Sequence, residues 1–419
     1  MRKLFFLTLL TTHFAFGQET NLRLDSCVAW AKANYPLLKQ SNLVNATSEA
    51  NLLTIRENWY PKLTFLAKGT YQSEVVSFNI PGITTNFPHD SYLTNVSLDQ
   101  TVFDGGQTKM QKQIEQINAG LEVQKNEVEL YKLVERINQI YVNILLGREN
   151  LNVLNTYKND IDNRRKKLAA GQENGLVLQS TLDELDAESL KTEQSIIEGK
   201  ENLESMYRVL AFYIAKPVNE NSVLTMSPLG GTTDSDAILR PEMKMFSLQE
   251  SLLESRYQLT NKYALPKISV FAGMNYGRPG PNFINQNLRF FGDAGLSIKW
   301  NISSLYGLSR EKLKFSLSQE MVAVQREVFL FNLNTNLTNQ KAQIVSLQEI
   351  ITKDKQIIEK RHNVTQTASA QLENGKITVT EYLTQLNAEL QATLNQKIHE
   401  IRLMNATSTY NTTRGITNF

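Results

Sequence analysis

The sequence predicts a mixed α/β fold that is mainly helical and contains two copies of one structural unit. Three observations support this prediction. Short motifs recur in the same order about 200 residues apart. Four runs of residues alternate between apolar and polar side chains, which is the pattern of half-exposed β-strands. Two long stretches carry apolar residues at heptad spacing with few helix breakers, which indicates very long α-helices.

The composition agrees with long helices and argues against several classes of function. Among 419 residues there are 20 Gly and 10 Pro, below their average combined share of roughly 12%. The net charge of +2 gives no reason to expect nucleic-acid binding. The sequence contains no Walker loop and no paired-histidine zinc helix, and its single cysteine, Cys27, is expected to be a buried structural thiol. We therefore expect no catalytic residue, cofactor or metal, and no enzymatic activity.

The first 17 residues are typical of a secretion signal peptide. Two basic residues precede an apolar stretch over 4–16, which ends in the small-x-small sequence Ala15-Phe16-Gly17. An uncleaved membrane anchor is the alternative, but about 13 apolar residues are fewer than the roughly 20 that span a bilayer. The mature chain is expected to begin near Gln18.

The recurring motifs divide the chain into two repeats. The matching pairs are 60–67 with 265–272, 96–98 with 296–298, 173–175 with 373–375, and 185–188 with 386–389. Chance could produce one such pair, but hardly four in the same order. After the signal peptide (1–17), we assign repeat 1 to 18–216, a linker to 217–234 and repeat 2 to 235–419. Each repeat begins with a helical lead-in, which two strands and two long helices follow.

The four alternating runs are predicted to be amphipathic strands. They cover 61–74, 91–102, 266–277 and 288–301. Because neighbouring residues of a strand face opposite sides, the apolar Ile268 and Val270 oppose the charged Lys267. Every charged residue in the four runs falls on the polar side: Lys62, Lys68, Glu74, Asp99, Lys267, Arg289, Asp293 and Lys299.

This separation of charge favours strands that cross a membrane. A charge facing lipid near the midplane costs roughly 2–4 kcal/mol, whereas a water-filled lumen tolerates it. The residues predicted to face the lumen are Lys68, Asp99, Lys267, Arg289, Asp293 and Lys299. A soluble sandwich with one wet face also alternates, but the signal peptide and the long helices favour the membrane. Single-chain barrels start at about eight strands, so four strands predict that several copies pool theirs.

The helices are predicted over 105–170, 176–213, 304–370 and 377–413. The apolar residues of the first stretch follow a heptad pattern: Leu130, Val134, Ile137, Tyr141, Ile144, Leu151, Leu154, Ile161 and Leu168. A helix of about 65 residues is roughly 100 Å long, far beyond the mean of about 12 residues. Such helices must pack side by side, in an antiparallel helical barrel or in a filled coiled-coil rod. A rod has no need of amphipathic strands.

Several of these features together resemble the TolC-like outer-membrane efflux proteins. They are the signal peptide, the Tyr-Pro-Lys-Leu strand opening at 60–63, the Val-Phe-Asp-Gly-Gly junction at 102–106, the two Gly-containing helical turns and the duplication. The resemblance spans residues 24–413, although each motif alone is weak. The second junction, 302–307, lacks the Phe-Asp-Gly-Gly sequence, and an extra Gly171 puts the first turn about one residue out of step with the second.

The resemblance implies a homotrimer in the outer membrane of a Gram-negative bacterium. Twelve strands would form one β-barrel there, and an α-helical barrel would continue it into the periplasm. The implied function is the exit duct of a tripartite efflux or type I secretion system. A periplasmic adaptor and, through it, an inner-membrane pump of the RND or ABC type would be the partners. A non-conducting scaffold anchored in the membrane is the alternative, and the sequence does not indicate the cargo.

The resemblance also implies functional residues at the ends of the helical hairpins. The acidic position six residues after Gly375 is Glu381, with Thr384 one turn later and Asp183 in the corresponding stretch of repeat 1; these are the predicted periplasmic gate. The expected docking tips for the adaptor are Gly171, Gln172, Gly175, Asn374 and Gly375. An ordinary solvated charge at Glu381 and simple turn chemistry at the tips are the alternatives.

Overall fold

The computed structural model describes residues 21–75, 79–80, 83–84, 87–173, 177–225, 237–282 and 284–416. The predicted signal peptide and Gly175 lie outside these residues, as does the second half of the predicted linker, 226–234. The described part is mainly helical with a few strands, which confirms that the fold is mixed and mainly α. No helix in these ranges has an apolar stretch long enough to cross a membrane.

Seven α-helices are present in the described residues. They are α1 (Leu24–Asn34), α2 (Leu37–Arg56), α3 (Gln107–Glu173), α4 (Gln179–Ile214), α5 (Pro241–Tyr263), α6 (Leu308–Glu373) and α7 (Val379–Arg414). Two of them are very long, with 67 residues in α3 and 66 in α6, and α4 and α7 have 36 residues each. The long helices therefore end within three or four residues of the predicted bounds.

The strands of the described residues form three sheets. They are β1 (Asn21–Arg23), β2 (Lys62–Tyr71), β3 (Asn79–Ile80), β4 (Ile83–Thr84), β5 (Asp90–Phe103), β6 (Val223–Thr225), β7 (Lys267–Arg278) and β8 (Arg289–Lys299). The main sheet is antiparallel in the order β2-β5-β7-β8. A second sheet pairs β1 with β6 in parallel. The strand β6 falls inside the predicted linker, where sequence analysis predicted no strand.

The chain divides into two compact units. One contains residues 39–128 and 241–330, and we call it the sheet unit because it holds the main sheet. The other contains the described parts of 1–38, 129–240 and 331–419. We call it the hairpin unit because it holds the ends at which the helices of two hairpins meet, α3 with α4 and α6 with α7. The helices α3 and α6 each contribute residues to both units.

In the sheet unit the helices lie side by side in the order α2, α3, α5, α6. The side chain of Asn51 on α2 donates to Glu115 of α3 at 3.0 Å. Gln113 of α3 donates to Ser255 of α5 at 3.3 Å. On the other side of α5, the Tyr257 ring stacks on Phe315 of α6, with centroids 4.8 Å apart. This order matches that of the strands, since α2 leads into β2 and α6 follows β8.

The junction between β5 and α3 shows why the Asp-Gly-Gly sequence is there. The Asp104 carboxylate accepts hydrogen bonds from the backbone N–H groups of Gly106 and Thr108, both at 2.8 Å, and so caps the first turn of α3. Gly105 and Gly106 have φ angles of 68° and 84°, which glycine adopts most readily. The motif therefore turns a strand directly into a 67-residue helix.

Two apolar cores are present in the part of the hairpin unit that the structure describes. One joins α1, α3 and α4 and includes the fully buried Ile137, Tyr141 and Leu210. Cys27 is buried in this core, as predicted. The other core joins both helical hairpins close to their turns, through Ile161 of α3 and its neighbours on α4, α6 and α7. The predicted heptad residues of α3 are largely residues of these cores.

Candidate functional site

The main sheet has one polar face and one apolar face. Directly paired residues project from the same side, and side chains alternate along each strand. The register pairs Lys68 with Leu93, Leu93 with Gly277, and Gly277 with Arg289. Following the register in this way places all six predicted lumen charges on one face: Lys68, Asp99, Lys267, Arg289, Asp293 and Lys299.

Polar side chains are linked across this charged face. Asn95 donates to Asn275 at 2.7 Å, and Asn275 donates in turn to Asp293 at 2.7 Å, so three adjacent strands share one hydrogen-bonded chain. Lys267 and Lys299 are direct cross-strand partners. Like charges in direct opposition destabilise a sheet unless water screens them. The face is therefore suited to water.

The opposite face is apolar and exposed. Seven of its large side chains are each 63% exposed or more: Leu63, Phe65, Tyr71, Met274, Phe290, Leu296 and Ile298. Soluble monomers rarely expose contiguous apolar patches of more than a few hundred Å². This face is therefore suited to contact with lipid or with an apolar partner surface.

The turn of the second hairpin is closed by two helix caps. Gly375, with a φ angle of 65°, donates its N–H to Leu372, and Lys376 donates to Gln371, so that α6 ends in a Schellman motif. Thr378 and Glu381 then form a capping box at the start of α7. The backbone N–H of Thr378 donates to the Glu381 carboxylate at 2.8 Å. This hydrogen bond, together with the one from the threonine hydroxyl, lowers the pKa of Glu381.

The turn of the first hairpin is described only at its two sides. Gln172 at the end of α3 donates to Gln179 of α4 at 3.3 Å. Gly171 is helical, and a Cβ added there would lie 3.0 Å from Val177. The predicted tip residue Gly175 is outside the described residues. The two sides of this turn are thus held together by a side-chain contact.

A cluster around Arg164 joins the two hairpins, and sequence analysis did not identify it. The Arg164 guanidinium on α3 donates to Glu373 at the end of α6 at 2.5 Å, and also to Ser369. It lies over the ring of Tyr382 on α7, 4.9 Å from the ring centroid. A signal was present in the sequence, because Arg164 occupies a seam position between Ile161 and Leu168 where the heptad pattern favours an apolar residue.

Comparison with known proteins identifies the fold. No protein-family model matches the chain, and no curated protein sequence matches it. Solved structures do. The outer membrane protein VceC from Vibrio cholerae aligns with a TM-score of 0.68 at 12% identity, over 94% of this chain and 96% of that chain. The Campylobacter jejuni CmeC outer membrane channel aligns with a TM-score of 0.67 at 13% identity, over 99% and 94%. The chain has the TolC-like fold.

A third match extends the same likeness. The Neisseria gonorrhoeae MtrE outer membrane channel, in its open state, aligns with a TM-score of 0.65 at 14% identity, over 94% of this chain and 89% of that chain. All three alignments cover nearly the whole of both chains. The TolC-like fold therefore includes the strands, the long helices and both hairpins.

Within the TolC-like fold, the predicted gate residues are exposed but are not gathered in one cluster. Glu381 and Thr384 lie on the exposed side of α7, and Thr384 donates to the backbone of Thr380 in its own helix at 2.8 Å. Asp183 on α4 accepts from Gln179 of its own helix at 2.8 Å. A hydrogen bond between α4 and α7 is made instead by Glu184, which accepts from Thr380 at 2.6 Å.

The turn of the second hairpin, which holds the predicted docking residues Asn374 and Gly375, adjoins a groove of about 520 Å³ between α6 and α7. Val364, Ala368 and Ile377 supply its apolar lining, and Glu381 lies at its margin. Asn374 donates to the backbone of Ala370 at 2.7 Å, so its side chain fixes the turn. Within the described ranges, no group of three or more His, Cys, Asp or Glu side chains is placed to hold a metal.

Proposed function

We propose that the protein is a passive export channel of the Gram-negative outer membrane, formed by three copies of the chain. Twelve strands form its barrel, and the long helices form a tunnel in the periplasm. It serves as the exit duct of a tripartite efflux or type I secretion system. An adaptor and an inner-membrane pump of the RND or ABC type supply the cargo. The fold similarity to outer membrane channels supports this function.

The observation that carries the proposal is the two-faced main sheet. Its apolar face is exposed, while its other face holds all the charged residues that sequence analysis assigned to a lumen. A sheet that borders lipid on one side and water on the other needs this separation. A soluble protein would have to cover the apolar face with another layer.

The open edges of the sheet unit support assembly from several copies. The strands β2 and β8 are at the two ends of the sheet order, and an unpaired strand edge cannot lie in lipid. The adjacent helices are apolar on exposed faces, with Leu43 and Leu53 on α2 and a stripe on α6. The stripe consists of Leu313, Leu317, Met321, Val324 and Val328. Closure of several copies into a ring would pair the free strand edges and cover the exposed apolar faces of the helices.

Planar-bilayer recording tests the channel proposal. Purified protein should insert and give discrete, uniform conductance steps, and native mass measurement should show three copies of the chain. A protein denatured before addition is the control. Stable insertion without any conductance would contradict the channel and would favour a membrane-anchored scaffold.

We place the gate of the channel at the hairpin turns, with three copies of Glu381 forming a ring of negative charge. Such a ring favours cations. The capping box gives the same carboxylate a second role, because it also holds the start of α7. A substitution that removes both roles at once cannot separate them.

Two substitutions separate the charge from the cap. Glu381→Gln removes the charge but keeps a residue that can complete a capping box, so cation selectivity should fall while thermal stability is retained. Thr378→Ala removes the cap but keeps the charge, so stability should fall while selectivity is retained. Unchanged selectivity in Glu381→Gln would leave Glu381 as a helix cap only.

The hairpin tips are the proposed docking surface for the adaptor. The groove beside Ile377 combines three apolar side chains with amide and carboxylate side chains, so a partner helix could pack against the apolar ones and bind the polar ones. Photo-crosslinkers placed at Gln172 and at Asn374 should capture a periplasmic partner in cells. A crosslinker at Ala323, which is exposed in the sheet unit, is the control. Capture from neither tip position would count against docking there.

A further inference from the structure

The two β-hairpins of the main sheet pair in the same register. Aligned by the shared Pro-Lys motif, Leu63 of β2 corresponds to Ile268 of β7. Aligned by the shared apolar-Ser-apolar motif, Leu98 of β5 corresponds to Ile298 of β8. The structure pairs Leu63 with Leu98, and Ile268 with Ile298. Residues that the motif alignment treats as equivalent are therefore paired in the same way in both β-hairpins.

Between the two hairpins, β5 pairs with β7 in a register of its own. Val96 is opposite Met274, Leu98 is opposite Ala272, and Thr94 is opposite Tyr276. In each of the last two pairs a larger apolar side chain faces a smaller residue. This junction connects the second strand of one hairpin to the first strand of the next.

The outer strands offer the same kind of junction to another copy. The strand β8 is the second strand of its hairpin, and β2 is the first strand of its own. If copies join head to tail, β8 of one copy meets β2 of the next as β5 meets β7. The motif alignment gives each residue of β5 a counterpart on β8, and each residue of β7 a counterpart on β2. Replacing both members of a β5–β7 pair by their counterparts therefore predicts which residues pair between copies.

We propose that β8 pairs antiparallel with β2 of a neighbouring copy in the register that β5 and β7 share. Leu296 then lies opposite Gly69, Ile298 opposite Ala67, and Ala294 opposite Tyr71 of the next copy. The proposal rests on the proposed assembly of several copies and specifies how they join.

The side chains fit this register. On the apolar face each of the three pairs sets a larger residue against a smaller one, as two of the three pairs between β5 and β7 do. A register shorter by two residues would place Ala294 opposite Gly69 and Ile298 opposite Phe65. The first of these pairs would leave a gap because both residues are small, and the second would be crowded because both are large. A shift by one residue would turn the charges of one strand toward the apolar side.

The helices of the sheet unit fit the same joining direction. Since α2 leads into β2 and α6 follows β8, pairing β8 with β2 of the next copy brings α6 toward α2 of that copy. The exposed apolar stripe of α6 and the exposed leucines of α2 then lie on facing edges. One head-to-tail contact covers both the strands and the helices.

Paired cysteines test the register in the full-length protein in membranes. In a Cys27→Ser background, Gly69→Cys combined with Leu296→Cys should give covalent multimers on oxidation, which a reductant reverses. A Cβ at Gly69 meets only ordinary contacts, at 3.5 Å from Tyr92, so the substitution is tolerated. Lys68→Cys combined with Ser297→Cys provides a second pair in the same register, on the polar face.

Two further combinations are matched controls. Both contain Gly69→Cys, combined in one variant with Ala294→Cys and in the other with Ile298→Cys. They test registers that differ by two residues in either direction, and they should give few covalent multimers. If one of these combinations links in preference to Leu296→Cys, the register is overturned while the assembly stands. If no combination links although the wild-type protein conducts, pairing between β8 and β2 is overturned and the channel proposal remains.

Discussion

At the scale of single residues, the reactivity of a side chain depends on its burial and its neighbours more than on its residue type. Cys27 is fully buried in the core that joins α1, α3 and α4. Burial, reinforced by the nearby charge of Asp25, raises the pKa of its thiol to about 11. The thiolate is the nucleophile of cysteine, so this side chain is inert in the folded protein.

Alkylation should report this directly. At pH 8, folded protein should resist a maleimide, whereas protein unfolded in denaturant should react at once, because unfolding restores an ordinary thiol pKa and access. Mass spectrometry counts the adducts. A Ser26→Cys variant, with its new thiol in the same helix but only half-buried, serves as the reactive control. Rapid labelling of native Cys27 would contradict the buried assignment.

Arg164 is the residue expected to hold the two hairpin turns together. Arg164→Met removes the guanidinium contacts to Glu373, Ser369 and Tyr382 while keeping a long side chain. Because Glu373 is half exposed, the loss should be only about 1 kcal/mol, but it falls at the proposed gate. Single-channel conductance or open probability should rise.

The neighbouring arginine is the control. Arg165 binds Asp186 at 2.5 Å and so joins α3 to α4 within one hairpin. Arg165→Met should leave the conductance unchanged, since it releases no contact between hairpins. If the two variants had the same conductance and open probability, Arg164 would have no role in the gate.

At the scale of elements, substitution of glycine by alanine should lower stability at the end of a helix and raise it inside a helix. Gly415 ends α7 with a φ angle of 97°, and a Cβ there would lie 2.3 Å from the backbone of Leu239. Gly415→Ala should therefore destabilise by about 1–3 kcal/mol. Gly120 lies inside α3, where a Cβ meets nothing within 4 Å. Gly120→Ala should stabilise by about 0.5–1 kcal/mol.

Thermal melting of purified protein, followed by circular dichroism, distinguishes the two effects. The melting temperature should fall for Gly415→Ala and rise for Gly120→Ala. A rise for Gly415→Ala would show that the helix end can move away from Leu239.

The main sheet should tolerate a new charge on one face only. Phe65→Lys places an ammonium group on the apolar face, near the middle of β2, where lipid contact would make it cost about 2–4 kcal/mol. Thr64→Lys places the same group on the polar face, one residue away. Fractionation should show loss of the first variant from the outer membrane and normal levels of the second. Equal tolerance would contradict lipid contact at this face.

Sequence pattern predicted the elements well and their contacts poorly. The alternation of the strand runs and the heptads of the helices record which faces are buried, so bounds and faces could be read directly. The Thr-x-x-Glu sequence at 378–381 is also a capping-box signal, which sequence analysis passed over at Glu381. The contact between α3 and α6 through Arg164 could not be predicted, because it depends on how two distant hairpins meet.

At the scale of the whole molecule, the exposed apolar stripe of α6 is expected to be an interface between copies. Met321 is 60% exposed in the isolated chain. Met321→Glu would bury a carboxylate at that interface, and a buried unpaired charge costs several kcal/mol. Native mass measurement should show dissociation into single chains or loss of the assembly.

Ala323→Glu is the matched control. Ala323 is exposed on α6, but it lies about 120° around the helix from the centre of the stripe, given 3.6 residues per turn. This variant should assemble normally. Assembly of Met321→Glu at wild-type levels would mean that the stripe contacts something other than a neighbouring copy.

The sequence by itself determined the class of the protein: long heptad helices, four two-faced strands, and the assignment of Lys68, Asp99, Lys267, Arg289, Asp293 and Lys299 to one side. These are local properties, because a period of two or of 3.5 residues fixes which side chains share a face. Only the tertiary structure decided the order of the strands, the pairing of Asn95 with Asn275, and the contact of Arg164 with Glu373. Such contacts join residues about 180 and 209 positions apart, and no local period carries information over that distance. The physical reason is that a single strand or helix records what it buries, while its partner is chosen by the packing of the whole chain.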